Sequence, residues 1–148
     1  MLGYHYTTLK QWREIRISGL LPHSVASHYY ERFRDTIGEL IRPGAIWIWP
    51  RPLHGLELIG MLVALGSQHQ SIRLVGLKLK FDPSISAYCQ YTHNHPDDTL
   101  HLTHDLDCPY FGHHAKPFDF LTGPVNPKNI RKFATYDLRN IVRNKVCN

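Results

Sequence analysis

Glutamate, cysteine and long apolar runs are all scarce in this chain of 148 residues. The four glutamates lie in the first 57 positions, so acid chemistry in the rest of the chain must come from aspartate. The three cysteines are odd in number and widely spaced, which argues against a disulfide framework and favours a reducing compartment. No apolar run approaches the roughly 20 residues that cross a membrane, and the first residues lack a secretory signal pattern. We therefore expect a soluble, cytoplasmic protein with no membrane partner.

Several short motifs that mark well-known chemistry are also missing. The sequence has no Cys-x-x-Cys or His-Glu-x-x-His spacing for zinc, no Gly-x-Ser-x-Gly and no glycine-rich phosphate loop. Cys89 and Cys108 have histidines near them in sequence, but sequence neighbours do not by themselves form a catalytic dyad. The pattern therefore gives little support to nucleophilic catalysis by serine or cysteine.

What the chain does contain is typical of one globular domain over residues 1–148. Hydrophobic residues make up 43% and charged residues 20%, which is enough apolar material for a core at this length. The net charge is +5 and the pI is near 9.2. This balance favours anionic partners such as nucleic acid, nucleotides or an acidic protein face. The basic residues are spread along the sequence, and a solvated surface would look the same.

The first segment of the chain predicts a strand, a helix and a stop in quick succession. Residues 3–7 are aromatic and β-prone. Thr8 and Gln11 have the spacing of a capping box, and Gly19 and Pro22 supply the end of the helix. A strand, a helix and its stop are thus packed into residues 3–22.

The remaining patterns predict an α+β domain whose helices come early and whose strands come late. In an apolar helix at 53–66, Leu56, Ile59 and Val63 share one face, and we expect the helix to be buried. A strand at 72–82 shows the clearest alternation, between apolar residues and lysines. Further helices are predicted at 29–41 and 137–146, and further strands at 45–49, 99–103, 117–121 and 129–136.

Two histidines stand two residues before a threonine: His5 before Thr7, and His101 before Thr103. Two-histidine phosphoesterases carry paired His-x-Thr/Ser motifs on neighbouring strands. One histidine acts as a base and the other as an acid, while the hydroxyls hold the phosphate. An enzyme of this kind would act on cyclic nucleotides or RNA ends. Such matches are not rare in a chain with eleven histidines, so this function is one alternative.

A second group of histidines raises the question of a metal site. Six of the eleven lie between His93 and His114, together with Asp97, Asp98 and Cys108. These residues are potential ligands, but no established ligand spacing is present among them. A histidine-rich loop that lines a binding site or lies in solvent is more common. We therefore predict no metal cofactor.

The opening "GYHYTTLKQWREIRISGLLP" combines an aromatic-His-x-Thr strand with a helix that ends in Gly-Leu-x-Pro, and "GAIWIWP" follows as a strand. This arrangement resembles the N-terminal half of ADP-ribosyltransferase-fold proteins. They include DNA-targeting ADP-ribosyltransferase toxins and, more distantly, the tRNA 2′-phosphotransferases. Segments 72–84 and 117–133 resemble the long central strand and the last hairpin of the same fold. The residues that carry the resemblance are Tyr4, His5, Thr7, Gly19, Leu20 and Pro22.

The resemblance implies a split β-sandwich with early helices that binds NAD, as a substrate, in a cleft between two small sheets. His5 would hydrogen-bond the nicotinamide-side ribose, and an aromatic face would suit the flat cationic nicotinamide ring. Alternation along the strand places Trp47 and Trp49 on one face and Ile48 on the other. The NAD-binding residues implied in this way are Tyr4, Tyr6, Thr7, Trp47 and Trp49.

The implied activity is ADP-ribosyl transfer to a nucleic acid or a protein, and the basic charge leans toward DNA or RNA. One departure from the family concerns the catalytic acid. These transferases usually carry a glutamate on a late strand, and this sequence has none after Glu57. Asp119 stands at the expected place and accepts the same hydrogen bond with a shorter reach. The implied catalytic pair is therefore His5 and Asp119.

Other possibilities remain open on the same residues. A chain without the glutamate is also compatible with a non-catalytic nucleotide-binding or inhibitory module. His5 would then be a structural histidine, and Trp47 and Trp49 would belong to the core. The phosphotransferase branch depends on arginines for phosphate, and the candidates for that role are Arg42, Arg51 and Arg73.

Overall fold

A computed structural model describes residues 1–22, 46–89, 100–102 and 120–141 of the chain. Within these ranges the fold is α+β, and all of its strand pairs are antiparallel. The helix predicted at 29–41 lies outside them. The helices are α1 (Leu9–Ser18) and α2 (Gly55–His69), with a further helical turn at 138–141. The strands are β1 (Leu2–Thr8), β2 (Ile46–Trp47), β3 (Arg73–Lys80), β4 (Ser86–Cys89), β5 (Leu100–Leu102), β6 (Phe120–Leu121) and β7 (Ile130–Asp137).

Three long strands form the first sheet, in the order β1-β3-β7. At the start of β3 every residue from Leu74 to Leu77 is buried, because both faces of the sheet are covered there. Toward the end of β3, Leu79 is buried while Lys78 and Lys80 are exposed, so one face of the sheet is open to solvent there. The predicted alternating strand is confirmed, and it is the central strand of the sheet.

Helix α1 begins and ends where the local signals predict. The Gln11 backbone N–H donates a 3.1 Å hydrogen bond to the Thr8 hydroxyl, and the Thr8 N–H donates to the Gln11 side chain at 3.3 Å. These two bonds complete the capping box. Gly19 has a φ of +85°, which favours glycine, and its N–H donates to the Ile15 carbonyl. The end of β1 is therefore held firmly against the start of α1.

Helix α2 exists as predicted, but it is buried on a different face. Leu56 is 77% exposed and Val63 is 46% exposed, so the predicted face of Leu56, Ile59 and Val63 is turned largely to solvent. Leu62 is fully buried instead and clusters with Leu74 of β3. The helix is apolar nearly all round, so hydrophobic periodicity alone does not select the face that packs on the sheet.

The second sheet has four strands in the order β2-β6-β4-β5. It meets the first sheet at β1, where Tyr4 and Trp49 exchange two backbone hydrogen bonds of 2.8 Å. A second isolated bridge joins Leu20, just after α1, to Val125. These bridges fix how the early segment of the chain sits against the later strands.

Two hydrophobic cores fill the space between these elements. The first core is shared by both sheets and by α1, and the second core lies under α2. The buried residues of the first core are Leu20, Ile46, Ile48, Val75, Leu77, Leu79, Phe81, Leu121, Val125 and Ile130. Those of the second core are Tyr6, Leu53, Leu62 and Leu74.

Candidate functional site

His5 lies on β1 at the point where the two sheets separate. One residue earlier, the backbones of Tyr4 and Trp49 are paired. The His5 Nδ1 atom then lies 2.8 Å from the Trp47 carbonyl oxygen. In a continuous antiparallel ladder a backbone N–H of β1 would bond to that carbonyl, so here the imidazole takes the place of the backbone. We call the site formed by Tyr4, His5, Trp47 and Trp49 the sheet junction.

The bond to the Trp47 carbonyl fixes the tautomer of His5. A carbonyl oxygen only accepts hydrogen bonds, so Nδ1 carries the proton. In the neutral ring Nε2 is then an acceptor, the type of group to which a ribose hydroxyl donates. The ring is half-buried. His5 therefore combines a structural bond at one nitrogen with acceptor chemistry at the other.

Thr7 shares a face of β1 with His5, but its hydroxyl is used within the fold. The side chain is buried, and Oγ1 donates a 2.6 Å hydrogen bond to Gln11 Oε1. The same Gln11 oxygen takes part in the capping of α1 through Thr8. Gln11 thus ties the end of β1 to the first turn of α1. Its capping contact with Thr8 was predicted, but its bond with the Thr7 hydroxyl was not. The sequence signal for this bond was a pair of adjacent threonines, Thr7 and Thr8, which stand four and three residues before Gln11.

Tyr4 and Tyr6 lie on the opposite face of β1 from His5, as alternation requires. Tyr6 is buried in the second core, and the Leu53 backbone N–H donates a 2.8 Å hydrogen bond to its hydroxyl. Burial raises the pKa of the Tyr6 hydroxyl above its usual value. The structure therefore brings His5 and Thr7 together and places Tyr4 and Tyr6 on the other side of the strand.

The two tryptophans of the sheet junction have different surroundings. Trp47 is half-buried, pairs with Phe120 of β6, and has its ring centroid 4.3 Å from that of Phe120. Trp49 packs edge to face on Tyr6 at 5.6 Å, against the second core. Ile48 is buried in the first core, which agrees with the predicted alternation. Trp47 therefore contacts His5 through its backbone carbonyl, while its ring packs on Phe120.

Three predicted residues, Asp119, Thr103 and Arg42, lie outside the described residues. Phe120, which follows Asp119 in the sequence, pairs with Trp47 in the ladder between β2 and β6. The late segment of the chain thus reaches the sheet junction one residue after Asp119.

The structure places His101 far from His5 in the order of strands. His101 lies on β5 and pairs with Tyr88 of β4. β5 and β2 are at opposite edges of the second sheet, and three strand spacings of about 4.8 Å separate them by roughly 14 Å. His5 is on β1, in the other sheet. The two His-x-Thr histidines are therefore not on neighbouring strands.

The two described arginines among the phosphate-binding candidates are exposed and have acidic neighbours. Arg51 forms a 3.1 Å ion pair with Glu57. Arg73 lies opposite Asp137 in the register of β3 and β7. The Arg139 guanidinium, hydrogen-bonded to Asp137, holds the pKa of that carboxyl down at about 2. Each of these arginines therefore has an acidic neighbour of its own.

The described ranges contain neither a cluster of metal ligands nor a membrane-spanning helix. Within them, no group of three or more His, Cys, Asp or Glu side chains is placed to hold a metal ion. Nor does any helix in these ranges combine the length and the apolar character needed to span a membrane. Most of the histidine-rich run at 93–114 lies outside the ranges described.

No protein-family model, no curated protein and no solved structure matches this chain.

Proposed function

We propose that the chain is an ADP-ribosyltransferase-like enzyme that uses NAD as a substrate and binds its ribose at the sheet junction. The observation that carries the proposal is the His5 imidazole, held 2.8 Å from the Trp47 carbonyl where β1 and β2 separate. Ligand sites favour clefts in which a few polar groups converge beside apolar walls. The resemblance of the aromatic-His-x-Thr strand to that superfamily supports the same function.

In this proposal His5 positions the ribose. Its Nδ1 proton is held by the Trp47 carbonyl, so Nε2 accepts a hydrogen bond from a ribose hydroxyl. The Trp47 ring, packed on Phe120, offers a flat face to the nicotinamide cation. Both groups are fixed by the fold before the ligand arrives, which reduces the entropy lost on binding.

The reaction breaks the bond between C1″ of the ribose and the nicotinamide nitrogen. The bonding pair leaves with nicotinamide, which becomes neutral, and the ribose passes through an oxocarbenium-like state. An oxygen or nitrogen of the acceptor then bonds to C1″ and releases its proton to water. The proposal assigns Asp119 to stabilise the positive charge that develops on the ribose, as a fixed anion does. The net charge of +5 favours a nucleic acid over a protein as the acceptor.

Incubation with labelled NAD tests the proposal, with two substitutions of the same histidine. His5→Ala removes both ring nitrogens. His5→Asn keeps a donor near the Nδ1 position for the Trp47 carbonyl but has no group at the Nε2 position. We expect the wild-type chain to consume NAD and both variants to lose about a hundredfold or more of that rate. His5→Asn should retain a melting temperature close to that of the wild type.

His54→Ala is the matched control, because His54 is exposed and makes no capping hydrogen bond. It should leave NAD consumption and stability unchanged. If NAD neither raises the melting temperature of the wild-type chain nor is consumed by it, the proposal is wrong. If His5→Asn keeps full activity, His5 has a structural role only.

A non-catalytic nucleotide-binding module is the second candidate, favoured by the lack of any glutamate after Glu57. In that case NAD stabilises the fold without being consumed. A two-histidine phosphoesterase would instead cleave a 2′,3′-cyclic phosphate without NAD, and His101→Ala would be as harmful as His5→Ala. The position of β5 at the far edge of the second sheet argues against that reaction.

A further inference from the structure

One face of the first sheet is strongly basic. Tyr4 lies beside Lys78 in the strand register, and Lys78 beside Arg131, so the three side chains share one face and one row. Lys80, two residues further along β3, projects from the same face. Helix α2 covers this face at the start of the strand, around Leu74, and the three cations beyond it are exposed. We call this uncovered region the outer face.

Aromatic rings lie in the middle of the outer face. The Phe133 ring stands directly over Gly76, where a Cβ atom would come within 2.6 Å of it. Tyr4 meets Phe133 edge to face, with ring centroids 5.5 Å apart. Phe133 remains 41% exposed in this position. The outer face therefore presents a large, fixed aromatic side chain to solvent between basic neighbours.

The described part of the chain does not neutralise the cations of the outer face. None of the three forms an ion pair with another described residue. The carboxylates that follow β3 and end β7 are engaged elsewhere. Asp82 accepts a hydrogen bond from the Ser84 N–H, and Asp137 pairs with Arg139. An anionic partner is the natural complement of this surface.

We propose that the outer face binds an unpaired strand of nucleic acid, either RNA or DNA. A row of cations attracts backbone phosphates, and an exposed ring is a surface on which a base stacks. A duplex hides the faces of its bases and would leave the ring unused. An acidic peptide would satisfy the cations but brings no flat group for the ring. The combination of charge and ring therefore favours an unpaired strand.

The outer face shares Tyr4 with the sheet junction but does not include the proposed ribose contact, His5. His5 lies on the opposite face of β1 from Tyr4, so a strand on the outer face does not contact the His5 ring. Binding there needs neither NAD nor His5. The two proposals therefore succeed or fail independently. A nucleic acid bound to the outer face does not contact the atoms that react at His5.

The number of cations sets the expected salt dependence. Three cations that each neutralise one phosphate give a slope of about −2 for log K against log salt, at about −0.7 per phosphate on a single strand. Affinity should then fall about 20-fold between roughly 50 and 200 mM salt. The measured slope therefore gives the number of contacts between cations of the protein and phosphates of the strand.

The experiment measures fluorescence anisotropy with the full chain and labelled oligothymidylate and oligouridylate of about 15 nucleotides. The test variant changes Lys78, Lys80 and Arg131 to Gln. The matched control changes three exposed cations of α1 to Gln, and therefore alters the net charge equally. The residues changed in the control are Lys10, Arg13 and Arg16. We expect the test variant to lose the salt slope and at least tenfold in affinity near 50 mM salt, while the control changes little.

Two substitutions of the ring separate stacking from charge. Phe133→Tyr keeps a stacking face and should bind as the wild type does. Phe133→Leu still covers Gly76 with an apolar side chain but should lose about 5- to 100-fold in affinity for the strand. Melting temperatures of all variants show that the comparison is between folded proteins.

Four outcomes overturn the proposal. The first is equal loss of affinity in the control triple variant, because the charge effect is then general. The second is equal affinity for a duplex of the same length. The third is full competition by polyglutamate in the wild type together with normal binding by Phe133→Leu. The fourth is the absence of any binding at about 50 mM salt. A preference between the two oligonucleotides decides whether the strand is RNA or DNA.

Discussion

At the scale of single residues, β1 is joined to the segment at 46–53 by three different kinds of contact. Tyr4 uses its backbone with Trp49, His5 uses its ring on the Trp47 carbonyl, and Tyr6 uses its hydroxyl to accept from the Leu53 N–H. Two of these contacts depend on side-chain chemistry. A substitution on β1 therefore disturbs the connection between the sheets as well as the strand itself.

Tyr6→Phe tests one of these contacts. The change removes the acceptor of a buried backbone N–H, and an unsatisfied buried donor costs about 1–3 kcal/mol. We expect the free energy of unfolding at neutral pH to fall by that amount. Tyr4→Phe is the matched control, since it leaves the bond between Tyr6 and Leu53 intact. Urea unfolding followed by tryptophan fluorescence measures both.

The pH dependence of the same variant gives an independent check. Burial raises the pKa of Tyr6 in the folded state, so the folded chain holds this proton more tightly than the unfolded chain does. The stability from this group is complete below the unfolded pKa of about 10 and is lost as pH rises above it. Tyr6→Phe should therefore show a shallower loss of stability as the pH rises above about 10. Equal slopes in variant and wild type would contradict the prediction.

At the scale of elements, the junction between β1 and α1 depends on Gln11. Thr8→Ala removes the capping hydroxyl and should cost about 1 kcal/mol. Gln11→Ala should cost more, because it also leaves the buried Thr7 hydroxyl without its 2.6 Å partner. Lys10→Ala, exposed in the same turn, should have little effect. Thermal unfolding ranks the three variants, and a Gln11→Ala variant as stable as Lys10→Ala would contradict this account.

The sequence predicted this element well because its signals are local. A capping box and a C-terminal glycine act within one turn, so Thr8 and Gly19 mark the ends of α1 without reference to the rest of the chain. The buried face of α2 was not predictable in the same way. Its apolar residues surround the helix, and contact with Leu74 of β3 decides that Leu62 is buried rather than Leu56.

At the scale of the whole molecule, the order of the strands in the two sheets is the main feature that the sequence did not predict. The strand that bears His101 was predicted, but its place at the edge of the second sheet depends on pairing across distant segments. The repeat of His-x-Thr in the sequence says nothing about that distance. In the same way, β1 was predicted as a strand, but its separation from β2 beside His5 follows from non-local bonds. Local patterns thus identify elements, and pairing determines which residues meet.

Strand β3 connects the two hydrophobic cores, and we therefore expect the two cores to unfold cooperatively. Leu74 belongs to the second core, while Leu77 belongs to the first, and both are fully buried on one strand. Leu77→Ala and Leu62→Ala should each cost about 2–5 kcal/mol through the cavity they leave. Because the cores share β3, neither should melt alone. Each variant should show one transition at a lower midpoint.

Unfolding curves from two spectroscopic probes test whether the two cores unfold together. Tryptophan fluorescence reports the sheet junction through Trp47 and Trp49 and the packing of α1 through Trp12. Far-UV circular dichroism reports the helices and sheets together. The two curves should overlay in the wild type and in both variants, as expected for one cooperative domain. Two separated transitions in Leu62→Ala would mean that α2 and the second core unfold independently. The expectation of a single domain over residues 1–148 would then be wrong, because the shared strand would not couple the two cores.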